Sequence, residues 1–255
     1  MATCVLSRVT YRALLAALVV FGAGAAAAES LGKVPSDLKD LYEQAIYESA
    51  VKRPSFNRPL TPIPESETFV TVQTLRTREL PVEDPSPFGP RERDVLRLKR
   101  INAARGVLLG NIFVALPREA RRLCKGAADP LLALQQGLGL PPKSDPDYRI
   151  VRFRVARADM FRPCASGPDV GAPKCAFDIP QDLDPAHRAF MIAQIWTSYR
   201  VGFDWPGYPF TGMGWTWNWA PDSPDNYGVS EYIAKRGAEV TRIRTLSIAE
   251  FCGGG

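Results

Sequence analysis

YRIVRFRVA, residues 148–156, alternates two kinds of side chain. Val151, Phe153 and Val155 are apolar, while Arg152, Arg154 and Ala156 fall between them. Successive side chains of a strand point to opposite faces, so this period of two predicts a strand with one buried face and one basic face. Such a strand belongs to a sheet whose core lies on one side. The neighbouring segments decide what kind of sheet that is.

Working outward, FVTVQTL (residues 69–75) is rich in β-branched residues and reads as a second strand. Ile112 to Leu116 reads as a buried strand. VSEYIA and EVTRIRTL flank Lys235-Arg236-Gly237-Ala238 and read as a hairpin, with Gly237 supplying a positive φ. Helices are expected from Asp37 to Val51 behind Ser36, from Pro117 to Cys124, from Pro130 through LLALQQ, and from Pro185 behind a capping Asp184. The leucines and Ile101 between Asp94 and Ala104 are also spaced for a helix. Strands and helices mix without regular βαβ alternation, which favours an α+β fold over a doubly wound sheet. The expected organisation is a signal segment at 1–28, an N-terminal helix and Pro-rich extended segment at 29–66, and a single α+β domain at 67–255. Its sheet would be mixed or antiparallel with flanking helices.

The first residues fit an export signal. Arg8 and Arg12 precede an apolar run from Leu14 to Gly22, and Ala26-Ala27-Ala28 offers a cleavage site. The run is too short to span a bilayer, which takes about 20 residues. A periplasmic or secreted protein with no stable membrane span is therefore expected. Losing residues 1–28 would lower the formal charge of +5 by two. A balance this mild does not suggest nucleic acid as a partner. Export leaves Cys124, Cys164, Cys175 and Cys252, an even count that favours disulfides. Cys164 and Cys175 flank ASGPDVGAPK, a run of turn formers that brings its ends together. Pairing them leaves Cys124 with Cys252 by elimination.

Much catalytic chemistry is excluded. His187 is the one histidine, so zinc sites built on paired histidines cannot form. No G-x-S-x-G or phosphate-cradling G-x-x-x-x-G-K-[ST] occurs. APDSPDNYG has Pro224 where an alternating calcium ligand would stand, so it reads as a turn. No metal and no cofactor is expected.

All five tryptophans lie between residues 196 and 219, among closely spaced glycines and prolines. Trp215, Trp217 and Trp219 alternate with Thr216 and Asn218, so in a strand the three indoles would share a face. They could close the core. They could also form a platform within segment 205–219 that stacks on a polar ligand such as a carbohydrate, with Tyr208 beside them and Asn218 as the hydrogen-bonding group.

Gly207 to Trp219, followed by Tyr227-Gly228-Val229-Ser230-Glu231-Tyr232-Ile233, resembles a pattern of exported bacterial proteins and implies neither fold nor reaction. Glu231-Tyr232-Ile233-Ala234 with Gly237 and Val240 resembles the last hairpin of ADP-ribosyltransferases. That resemblance implies an NAD-consuming enzyme, with Glu231 as the catalytic carboxylate and Arg152 or Arg154 as the phosphate clamp. Val229 stands where that family often has Glu or Gln. Three functions follow: a ligand-binding protein, that enzyme, or a cell-envelope interaction protein with no small-molecule site.

Overall fold

The computed structural model describes residues 36–77, 101–102, 106–142, 148–200 and 207–253. The signal segment, most of the expected 94–104 helix and Trp205 lie outside the described residues.

The opening strand sits within the sheet and not at its edge. β5 (Tyr148–Ala156) pairs along its whole length with β1 (Phe69–Thr77), from Phe69 opposite Ala156 to Thr77 opposite Tyr148. Its other side pairs with β9 (Val240–Ser247). β4 (Ile112–Ala115), β6 (Met160–Phe161), β7 (Trp215–Trp217) and β8 (Tyr227–Ala234) complete an antiparallel sheet in the order β6-β8-β4-β1-β5-β9, with β7 on β8. β2 (Ile101–Asn102) and β3 (Val107–Leu108) pair separately. The helix expected at 94–104 is therefore corrected at Ile101 and Asn102, where extended backbone pairs with the next segment.

Alternation gives the sheet two different faces. On one, Val70, Val72, Val114, Phe153, Val155 and Tyr232 form a core closed by Ile63 and Val170. On the other, Ala115, Ile150 and Val229 pack beneath α2 (Pro117–Cys124), α3 (Pro130–Gly137) and α5 (Ile248–Gly253) through Ala120, Leu134 and Phe251. α4 (Pro185–Ser198) covers the far end of that face, with Phe190 edge-on to Phe161 at 4.9 Å. β8 passes so close to the end of α3 that a Cβ on Gly228 would lie 2.0 Å from the Gly137 carbonyl oxygen. No described helix is long and apolar enough to cross a membrane.

α1 (Ser36–Ala50) builds a further core with the tryptophan segment: Tyr42, Ala45 and Ile46 meet Phe56, Leu60, Trp215, Trp217 and Trp219. The two disulfides are Cys164–Cys175 and Cys124–Cys252, as the spacing predicts. The first lies within the tryptophan core; the second joins the end of α2 to α5.

The expected final hairpin does not form. Gly237 takes its positive φ of 85°, but β8 and β9 are not partners. Both edges of β8 are occupied, by β4 on one side and by β6 and β7 on the other. Residues 235–239 instead carry the chain to the free edge of β5. On the way the Gly237 amide donates to the Leu108 carbonyl at 2.7 Å, and the Leu108 amide to Ala238 at 2.9 Å.

Candidate anion-binding site

The tryptophan platform is corrected by burial. Trp215, Trp217 and Trp219 are 1%, 2% and 3% exposed. Trp215 and Trp217 stack on one another at 6.0 Å, Phe56 packs against both, and Trp219 meets Tyr42 edge-on at 5.7 Å. The indole N–H groups of Trp215 and Trp219 donate to the carbonyls of Phe56 and Leu140, at 3.1 and 2.9 Å. Aromatic rings carry the largest apolar areas, and a segment too rich in glycine and proline for a helix uses them to fill a core. Asn218 is spent on a turn: its side-chain oxygen accepts from the Ala220 amide at 3.0 Å. Tyr208 is exposed while the three indoles are buried, so they present no common ring surface to solvent.

His187 is buried, with Nε2 2.8 Å from the Cys164 carbonyl oxygen, and its amide donates to the capping Asp184 at 2.8 Å.

Glu231 and Arg152 share one face and one row of the sheet. Glu231 pairs with Ala115, Ala115 with Gln73, Gln73 with Arg152, and Arg152 with Arg244. Three inter-strand steps separate the glutamate from Arg152, roughly 14 Å between backbones. The structure therefore does not bring them together as a catalytic pair, and without the hairpin the geometry behind the ADP-ribosyltransferase resemblance is absent. The Glu231 carboxyl is half-buried, makes no hydrogen bond or ion pair among the described residues, and is pushed up to about 8 by burial. Arg154, two residues from Arg152 on the same face, lies 4.7 Å over the Phe69 ring.

Arg152 itself belongs to a hollow that α2 completes. Pro117, Arg118, Arg121, Arg122, Lys125 and Arg152 line a concavity of about 450 Å³. In α2 Arg118, Arg121 and Arg122 stand at i, i+3 and i+4, a spacing that puts them on one helical face, and Lys125 follows at the C-cap. The opposite face carries Ala120 and Cys124 into the core, so packing fixes which way the arginines point. Glu119, the one acid of α2, also turns inward, where its carboxylate accepts from the Ser230 amide at 2.7 Å. Beneath the hollow, the Arg121 and Arg152 guanidinium carbons lie 5.4 and 5.7 Å from the Phe251 ring of α5.

The electrostatics are one-sided. No acidic residue is among the described residues that line the hollow. Nε of Arg121 and both Nε and Nη2 of Arg152 are buried without a hydrogen-bond acceptor among the described residues. Arg152 is held below its ordinary value by burial first, then by Arg121 and Arg244. Buried donors almost always find an acceptor, so three orphans on two arginines that line one hollow mark a place short of an oxyanion's oxygens. The guanidinium fork suits phosphate, sulfate and carboxylate oxygens. Arg118, Arg121, Arg122 and Lys125 lie outside the segment that the sequence points to as a site, although their close spacing is plain in PREARRLCK. Their meeting with Arg152 is tertiary and left no local signal. Comparison with protein-family models, with curated proteins and with solved structures finds no match to this chain.

Proposed function

We propose that this is an exported binding protein for a polar ligand carrying a compact oxyanion, a phosphate or sulfate group, which it takes into the hollow between α2 and β5. The observation that carries the reading is the set of buried guanidinium donors on Arg121 and Arg152 with no acceptor among the described residues. Leaving such donors unpaired costs free energy, and a ligand oxyanion returns it. Two disulfides support an oxidising compartment, periplasmic or extracellular. The indole rings serve the fold, and the ligand's charged group supplies recognition.

Calorimetric titration of inorganic phosphate and sulfate tests the reading. Wild-type protein should bind at least one of them saturably. Arg152→Met should weaken that binding about tenfold to a hundredfold, the range for losing one charge-assisted donor pair. No saturable binding of either anion, or equal binding by the variant, overturns the proposal.

A further inference from the structure

Beside the hollow lies a surface that an anion alone would not need. Phe69 opens β1 and is 52% exposed, although a strand end facing solvent is an ordinary place for a polar residue. Arg154 lies flat enough to put its guanidinium carbon 4.7 Å from the Phe69 ring, and it makes no hydrogen bond or ion pair among the described residues. Thr71, exposed and paired with Arg154, sits on the same face. Arg152 and Arg154 are two residues apart on one strand, a separation of about 7 Å. The Phe69–Arg154 stack thus lies one strand repeat along β5 from Arg152, which lines the hollow, at about the reach of one pentose.

Resting on the anion-site reading, we infer that the ligand is a nucleotide: its phosphate enters the hollow at Arg121 and Arg152, and its base stacks on the Phe69–Arg154 pair. An aromatic ring and a guanidinium both present π-faces, and such platforms hold bases of any sequence identity without reading their edges. Thr71 lies where a sugar hydroxyl would pass. The hollow supplies charge, and the platform supplies the discrimination between a nucleotide and a bare phosphate ester.

Titration with AMP, ribose 5-phosphate, inorganic phosphate and adenosine separates the two parts. AMP should bind about tenfold or more tighter than ribose 5-phosphate, the low end of what one stacked base contributes. Adenosine should bind weakly. Phe69→Ala, a change at an exposed ring, should bring AMP down to the affinity of ribose 5-phosphate and leave ribose 5-phosphate and the melting temperature unchanged. If AMP binds no tighter than ribose 5-phosphate while both depend on Arg152, the nucleotide inference falls and the anion site stands. If AMP keeps its advantage in Phe69→Ala, the platform is elsewhere and the inference falls. If no phosphate compound binds, both readings fall together.

Discussion

Two arginines show how one residue type serves opposite ends. Arg162 is fully buried, and its guanidinium donates to the carbonyls of Thr61 and Val170 at 2.8 and 2.9 Å while lying 4.5 Å over the Tyr232 ring. Its donors are spent on the fold, stitching the 54–64 segment to the loop after β6. Arg152 is less buried, yet its Nε and Nη2 have no acceptor among the described residues. Nothing in the letters distinguishes the two; only their partners do. Glu231 is a third case, a carboxyl that burial holds in its neutral form. Its value rises from 4.5 to about 8, so the folded protein keeps the proton over a range in which the unfolded chain has lost it. The linkage runs in one direction: the stabilisation is complete below pH 4.5 and is lost as pH rises through about 8. Over that window stability should fall by up to about 1.4 kcal/mol per pH unit. Glu231→Gln, neutral at every pH, should flatten this dependence and be the more stable protein at pH 9. Urea unfolding at pH 5, 7 and 9 measures both; an equal slope in the variant would mean that the carboxyl is ionised and solvated in the folded state.

Where a local pattern was strong, elements were legible. β5 spans Tyr148–Ala156 as its alternation demands, and α2, α3 and α4 begin at the prolines that mark a first helical turn. α5 has a local signal too, since Ser247-Ile248-Ala249-Glu250 is a capping box: the Glu250 carboxylate accepts from the Ser247 amide at 2.7 Å, and the Glu250 amide donates to the Ser247 hydroxyl at 3.1 Å. The expected β8–β9 hairpin does not form, because a turn signal specifies a reversal and says nothing about which strand edges are already taken. The tryptophan density was visible, but whether rings face in or out depends on α1 and Phe56, more than 150 residues away. Cysteine pairing was legible because a short turn-rich loop left one solution, and it carries a prediction. The Cys124–Cys252 bridge closes a separation of 128 residues and Cys164–Cys175 one of 11. In the chain-entropy model they contribute about 5 and about 3 kcal/mol. The Cys124→Ser, Cys252→Ser double variant should therefore be less stable than the Cys164→Ser, Cys175→Ser one in denaturant unfolding. The reverse order would show that packing around the short bridge, in the tryptophan core, outweighs unfolded-state entropy.

On the scale of the whole molecule, a formal charge of +5 understates the electrostatics, because the cations are unevenly placed. Four arginines and a lysine surround one hollow with no acid among the described residues that line it. That arrangement joins parts distant in sequence: α2, the middle of β5 and the Phe251 ring of α5 near the C-terminus. Without ligand the cluster strains the fold, since like charges repel and the desolvated Nε and Nη2 of Arg152 lack an acceptor among the described residues. With an oxyanion present the same groups tie α2 to the sheet. Stability and binding should then oppose one another in a measurable way. Unliganded Arg152→Met, which keeps volume and removes charge, should melt at or above the wild-type temperature. Wild type should gain about 2.7 kcal/mol when the anion is present at a hundred times its dissociation constant, and the variant far less at that concentration. Sodium chloride separates this from general salt effects: screening over about 10 Å at 0.1 M weakens both the repulsion and the anion's grip. Added chloride should therefore narrow the gap between the unliganded proteins and shrink the phosphate-induced rise in wild type. An Arg152→Met protein that melts well below wild type in low salt without ligand would instead place this guanidinium among the groups, like Arg162, that hold the fold together.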